Sequence, residues 1–411
     1  MTSIRNIFPY IILLFLLICR TGLAQSGSFY SVSGKDIITP YGKPVVLKGI
    51  NLGHWMVPEG YMFRFEKISS PRLIYDFFNI LLGESEAQKF WSKFRELYIT
   101  REDIALIQKA GFNSVRIPFH YKLFVNDQGE MTGPGYALMD SAVSWCREYN
   151  LGVVLDMHCA PGGQTGDNID DSYGYPFLFE SPEMQELTIR VWRELASRYA
   201  KESIVIGYDL LNEPIAHFFD KDKLNPLLEP LFKRITAAIR EVDENHIVFI
   251  GGAQWNSNFS VFGPPFDSKS VYTFHKYWTA AGKEVIQDYL DYRDKYNVPL
   301  YLGESGENTN EWITEFRKTL ESESVSWCFW PYKKLESERG VVTIKVPGNY
   351  DQIKKFADGF DVSFAYIRDN KPAQEIINRV LDEYLENLAV KNLIINHEYL
   401  KALGLAIDNK N

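Results

Sequence analysis

The sequence predicts a single (β/α)₈ barrel of the α/β class, with loop insertions and a helical C-terminal tail. Three observations carry that prediction. Short apolar runs rich in β-branched residues recur along the chain, with helical periodicity between them. No dinucleotide-type glycine fingerprint accompanies them, which favours a closed barrel over an open doubly wound sheet. Several runs end on a residue with chemistry, and a barrel gathers its strand ends on one face.

The bounds come first. At 411 residues, 45% hydrophobic and 15% aromatic, without a low-complexity tract, the chain has ample material for one large domain. Arg5, the apolar stretch Ile7 to Cys19 and the small residues of Thr21-Gly-Leu-Ala24 have the pattern of an export signal cleaved after Ala24. That reading divides the chain into a signal, 1–24, and a domain, 25–411, placed in the periplasm, at the cell surface or outside the cell. A retained N-terminal anchor is the alternative, although the run is shorter than the roughly 20 apolar residues of a membrane span. Losing Arg5 and Arg20 takes the formal charge from −9 to −11. Such an acidic chain is a poor partner for nucleic acid and tolerates neutral ligands such as sugars. Cys146, Cys159 and Cys328 form neither a disulfide framework nor a metal spacing, so three buried thiols, no metal and no cofactor are expected.

In chain order, Tyr30-Ser-Val-Ser and Asp36-Ile-Ile-Thr read as a hairpin capping one end of the barrel. Val45 to Asn51 is the first core strand, leading into the aromatic loop Leu52-Gly-His-Trp-Met-Val-Pro-Glu-Gly-Tyr61. Residues 66–98 read as one or two inserted helices. Thr100-Arg-Glu-Asp103 starts another helix that Gly111 stops, and Phe112 to Pro118 is strand two. A helix over 134–149 precedes Gly152 to His158, and one opened by Ser181-Pro182 precedes strand four, Ile204 to Pro214. A helix near 225–242 is followed by strands at His246 to Gly251, Val271 to His275, Val298 to Glu304 and Val325 to Trp330. A last helix over 372–388 leads into the tail.

The strand ends carry Arg116, His158, Glu213, His275, Glu304 and Trp330. Two glutamates at barrel strand ends suit glycoside hydrolysis, in which one carboxyl protonates the leaving oxygen and the other, ionised, attacks the sugar carbon. Arg116 and His275 are candidates to stabilise the charged Glu304. Trp55, Trp255, Tyr277, Trp278 and Trp330, at or after strand ends, offer faces on which sugar rings stack. His54, Asp167, Lys333 and Lys334 are further candidates for specificity.

The motifs Ser114-Val-Arg-Ile-Pro118, Leu155-Asp-Met-His158, Leu211-Asn-Glu-Pro214, His275-Lys-Tyr277, Gly303-Glu-Ser305 and Trp330 run in order from about residue 45 to 332. In this the chain resembles glycoside hydrolase family 5, the retaining cellulase-like enzymes of clan A. The resemblance implies Glu213 as general acid/base and Glu304 as nucleophile. It also implies Asn212 on the sugar 2-hydroxyl, Arg116 and Tyr277 orienting Glu304, and His158, His275 and Trp330 shaping the adjacent subsite. The first half is similar to the exo-β-1,3-glucanase type, whose counterpart of Glu59 contacts the terminal sugar. It departs from that type at His54, in Asp167-Asn-Ile-Asp-Asp171 and in a long insertion after Trp330.

The expectation is therefore an exported, retaining β-glycosidase of the exo-β-glucanase or β-glucosidase kind, acting on a β-linked oligosaccharide, polysaccharide or glycoside. An endo-acting β-1,4-glucanase, β-mannanase or glycolipid-directed glycosidase is the alternative within the same family. A carbohydrate-binding barrel without turnover is the alternative outside it.

Overall fold

A computed structural model describes residues 29–361 and 363–407. The expected signal segment, 1–24, lies outside the described residues. Eight parallel strands close into a barrel: β1 (Lys48–Asn51), β2 (Ser114–His120), β3 (Gly152–Cys159), β4 (Val205–Asp209), β5 (Ile247–Gly251), β6 (Ser270–His275), β7 (Leu300–Glu304) and β8 (Ser326–Phe329). Each strand pairs with its sequence neighbour, and β8 returns to β1. This is the predicted (β/α)₈ barrel.

Period-two alternation sorts each strand between two environments. On β2, Val115, Ile117 and Phe119 pack in the main hydrophobic core, where Phe119 meets Trp192 edge to face. Arg116 turns into the barrel instead. Deep in the interior Val154, Ile206, Phe249, Val271 and Tyr301 form a separate cluster. Ile37, from the antiparallel hairpin Ser31–Ser33 and Asp36–Ile38, joins them at 2% exposure, so the hairpin plugs the N-terminal end as expected.

The helices start where their caps lie. Thr100 and Asp103 form a reciprocal capping box ahead of Arg101–Ala110, and Ser181 caps Pro182–Tyr199. The inserted segment makes two helices, Pro71–Leu82 and Glu84–Tyr98, whose aromatic faces pack against Gln374–Asn387 through Phe94 and Tyr384. The β5–β6 connection departs from the simple alternation. It holds only a tight turn at Ala253–Asn256 and a short 3₁₀ segment, with left-handed φ at Gln254 and Trp255.

The tail is helical at His397–Ala402, as expected, and contributes a short strand as well. Ile394–Ile395 pairs antiparallel with Val342–Ile344, which pairs in turn with Lys333–Leu335, so the end of the chain completes a small sheet with the insertion after β8. That pairing is non-local and leaves no periodic trace in a two-residue strand. Cys146, Cys159 and Cys328 are free and buried.

Candidate active site

Polar residues on the inner face of apolar strands assemble into one ionic cluster. Arg116 is fully buried, and a buried guanidinium is tolerated only where acceptors surround it. Its Nε donates to Asp209 at 2.9 Å, and its Nη1 to Glu304 at 2.7 Å and Asn51 at 3.0 Å. Its Nη2 donates to Asn212 at 2.9 Å and lies 3.1 Å from Asp156. Burial works against the charge on Arg116, but Asp156, Asp209 and Glu304 outweigh it and hold the guanidinium well above its usual range. Burial pushes Asp156 and Asp209 each up to about 7, against the pull of Arg116.

Glu213 and Glu304 stand above this cluster, with a carboxylate oxygen of one within 4.8 Å of one of the other. Glu304 ends β7 and accepts from both Arg116 and the Tyr277 hydroxyl, the latter at 3.1 Å. Glu213 lies beyond the end of β4 and has a left-handed φ of 46°. The loop after β3 holds it there: Thr165 Oγ1 donates to the Glu213 carbonyl at 2.8 Å, and the Ile215 and Ala216 N–H groups donate to the carbonyls of Gln164 and Thr165. Its carboxyl meets His275 Nδ1 at 2.7 Å. Burial pushes Glu213 up to about 7 and His275 down to about 3, so the imidazole beside it is neutral. Gly303 makes room for this pair, because a Cβ there would lie 2.8 Å from His275 Nε2.

A cavity of about 590 Å³ opens over the two carboxylates. On the β8–β1 side Trp330 stacks on His158 at 5.7 Å and 13°, and its indole N–H donates to the Tyr61 hydroxyl. Gly53 lets that indole in, since a Cβ would meet it at 2.3 Å. Glu59 and the ion pair of Lys334 with Glu307 complete this wall. His158 donates or accepts through Nδ1 with Asp156 at 2.8 Å, and burial pulls it down to about 4. The opposite wall carries Trp255, Trp278, Lys276 and Asp167.

The structure thus brings Glu59, His158, Glu213, His275, Tyr277, Glu304 and Trp330 to one cavity. Arg116 and Asn212 sit beneath it, each 0% exposed, and reach it only through the side chains they bind. His275 differs from expectation in bonding Glu213 rather than Glu304, whose nearest oxygen is 3.7 Å away. Trp55 is a core residue, 1% exposed, with its indole N–H on the Arg95 carbonyl. His54 is packed among Phe63, Phe94 and Tyr98 behind the Glu59 loop, and Lys333 is buried against Asp103 at 2.8 Å. The sequence reading passed over Asn51, Asp156 and Asp209, although a polar residue inside an apolar strand must be paired somewhere. Tyr61 belongs to the aromatic loop 52–61 that the sequence marks, whereas Glu307 carries no local signature.

Two groups have donor atoms close enough for a cation, Asp156–His158–Glu304 and Glu213–His275–Glu304. The Arg116 guanidinium, 2.7 Å from Glu304, already supplies the positive charge that such an ion would bring.

The family model described as cellulase (glycosyl hydrolase family 5) matches residues 77–335. Endoglucanase C of Acetivibrio thermocellus is 29% identical over 318 residues, covering 62% of this chain and 90% of that protein. A β-xylosidase of Phanerodontia chrysosporium is 31% identical over 257 residues, covering 61% of this chain and 52% of the relative. A glucan 1,3-β-glucosidase of Pichia angusta is 32% identical over 183 residues, covering 43% of this chain and 42% of its own length.

Proposed function

Since the chain belongs to glycosyl hydrolase family 5, the cellulase family, we propose that it cleaves β-glucosidic bonds with retention and removes sugar units from a chain end or aglycone. The observation that carries this reading is the pair of carboxylates within 4.8 Å. Retaining enzymes hold theirs at about 5 Å, whereas inverting enzymes leave room for a water between them. Glu304, fed by two hydrogen-bond donors, attacks the anomeric carbon as the glycosidic bond breaks. Glu213, held up at about 7 and backed by neutral His275, gives its proton to the departing oxygen. It then takes a proton from the water that hydrolyses the glycosyl ester on Glu304. Arg116 and Tyr277 position the nucleophile, and Asn212 is held by Arg116 beside it.

Exo action is supported by the β8–β1 wall. Trp330, bonded to the Tyr61 hydroxyl, and Glu307, paired with Lys334, line the cavity there, and bulk of this kind would close the groove that an endo-acting enzyme keeps open. Glu59 on that wall suits the hydroxyls of a terminal sugar. The test is hydrolysis of β-1,3- and β-1,4-linked gluco-oligosaccharides with product sizes recorded. Single sugars from the outset support exo action, and mixed oligomers at early times defeat it in favour of an endoglucanase. The export signal read at 1–24 makes the enzyme an exported one, which fractionation of producing cells tests.

A further inference from the structure

We propose that the cavity mouth beside Glu213 receives a planar apolar leaving group, so that the substrate class is a β-glycoside of an aromatic or polycyclic alcohol rather than a sugar polymer. This deepens the glycosidase reading above and rests on it. The leaving group departs on the side of the proton donor, so the residues around Glu213 meet it.

Those residues are aromatic and form a continuous strip. Trp255 lines the cavity, His217 contacts it edge to face at 4.6 Å, and Phe218 at 6.0 Å. Phe219 and Tyr175 extend the strip outward from Phe218. Phe218 is 56% exposed and Trp278, on the same wall of the cavity, 76%. Large rings left contiguous and open to water beside a pocket mark a surface that something covers.

Backbone strain points to the same wall. Gln254, Trp255, Asn256 and Trp278 all take left-handed φ, between 51° and 58°, a conformation that side-chain-bearing residues avoid. The Asn256 amide lies 3.1 Å from His275 Nε2, which ties the strained turn to the histidine behind the proton donor. Strain kept by two tryptophans at a site indicates that the placing of their rings matters.

The neutral polar groups of this wall are engaged within the protein. The Gln254 amide pairs with Asn225 and Asn258, Ser257 donates to the Gln254 carbonyl at 2.6 Å, and Thr279 donates to the Ala280 carbonyl at 3.0 Å. Asp167 accepts from the Asn168 N–H at 2.8 Å, and the Lys276 ammonium lies over the Tyr289 ring at 5.1 Å. A second sugar here would give up water from its hydroxyls for Asp167 and Lys276 as its main partners, whereas a fused aromatic ring would cover the apolar strip without that loss. On the opposite wall Glu59 Oε1 is buried with no hydrogen-bond partner among the described residues, as a group awaiting sugar hydroxyls would be.

The test uses ligands that share one glucosyl unit on an alkyl oxygen: 2-(2-naphthyl)ethyl β-glucoside, cellobiose and laminaribiose. Binding to the Glu304→Gln protein is measured by calorimetry, which needs no turnover. The naphthyl glucoside is expected to bind about tenfold more tightly than either disaccharide, and a further Phe218→Ala change to bring that ratio down to about two. A ratio of one or less, a ratio unmoved by Phe218→Ala, or no binding of any ligand overturns the proposal. Turnover of 4-nitrophenyl β-glycosides by the parent protein tests the glycosidase reading separately. Silence there with ring-dependent binding sinks that reading and spares the wall's role, and turnover with a preference for disaccharides does the reverse.

Discussion

Glu213 faces a histidine that burial keeps neutral, whereas Glu304 faces a guanidinium and a phenol. The two substitutions should therefore differ in how they depend on the substrate. Glu304→Ala is expected to lose about 10⁴-fold or more in kcat on every glycoside, because no group remains to form the ester. Glu213→Gln should cost about 10³-fold on alkyl glycosides but at most about tenfold in forming the ester from 2,4-dinitrophenyl glycosides, whose leaving group needs no proton. Equal losses on both classes, read by initial rates and burst size, would remove Glu213 from the role of acid. The acid must be protonated to work, so kcat/KM should fall as pH rises through about 7, the value to which burial lifts Glu213. An alkaline limb centred near pH 5 would contradict that environment. Much of this pair was readable in the sequence, because a glutamate that closes an apolar run is conspicuous. What was not readable was direction: His275 turns to Glu213, and Trp55 turns into the core, because one-dimensional spacing does not say on which side of a loop a ring falls.

The elements place these residues, and the N-terminal hairpin shows how local pattern and long-range packing divide the work. Its two strands follow from alternation around a Gly34 turn, and Ile37 fills the barrel end among Val154, Ile206 and Val271. Ile37→Ala is expected to cost about 2–5 kcal/mol in denaturant unfolding while leaving KM unchanged, since the cavity lies at the opposite end of the strands. A changed KM with unchanged stability would mean that the plug reaches the site. At β1 the glycine matters for another reason: Gly53→Ala would drive its methyl into Trp330 and should raise KM several-fold with little change in unfolding midpoint. Barrel strands were legible because each is a short β-branched run between helix-stopping and turn residues. The strand Ile394–Ile395 was not, because its only cause is Val342–Thr343, more than fifty residues away in the chain.

Across the whole molecule, buried charge ties distant segments together. Asp103, which caps the helix Arg101–Ala110, also accepts from Tyr332 and pairs with Lys333, whose ammonium donates to the Leu388 carbonyl as well. Lys333→Met leaves Asp103 buried without its cation, and is expected to lower stability by about 3–5 kcal/mol, with Lys333→Met and Asp103→Asn together costing less than the sum. Additive losses would show that the two groups act apart. Asp156, Asp209 and Glu213 are all raised to about 7, so they hold protons in the folded chain that the unfolded chain has released. Their share of stability is present below about pH 4 and is lost as pH rises through about 7, so the unfolding temperature should be lower at pH 8 than at pH 5. A rise over that interval would show the cluster to be ionised throughout. The plug has one more consequence. Phe29, the first described residue, packs on His246 just ahead of β5, at the barrel end away from the cavity. A label or resin coupled through Lys35, exposed in the turn of the plug, is therefore held at the end of the barrel away from the cavity and leaves its mouth open to the surrounding medium.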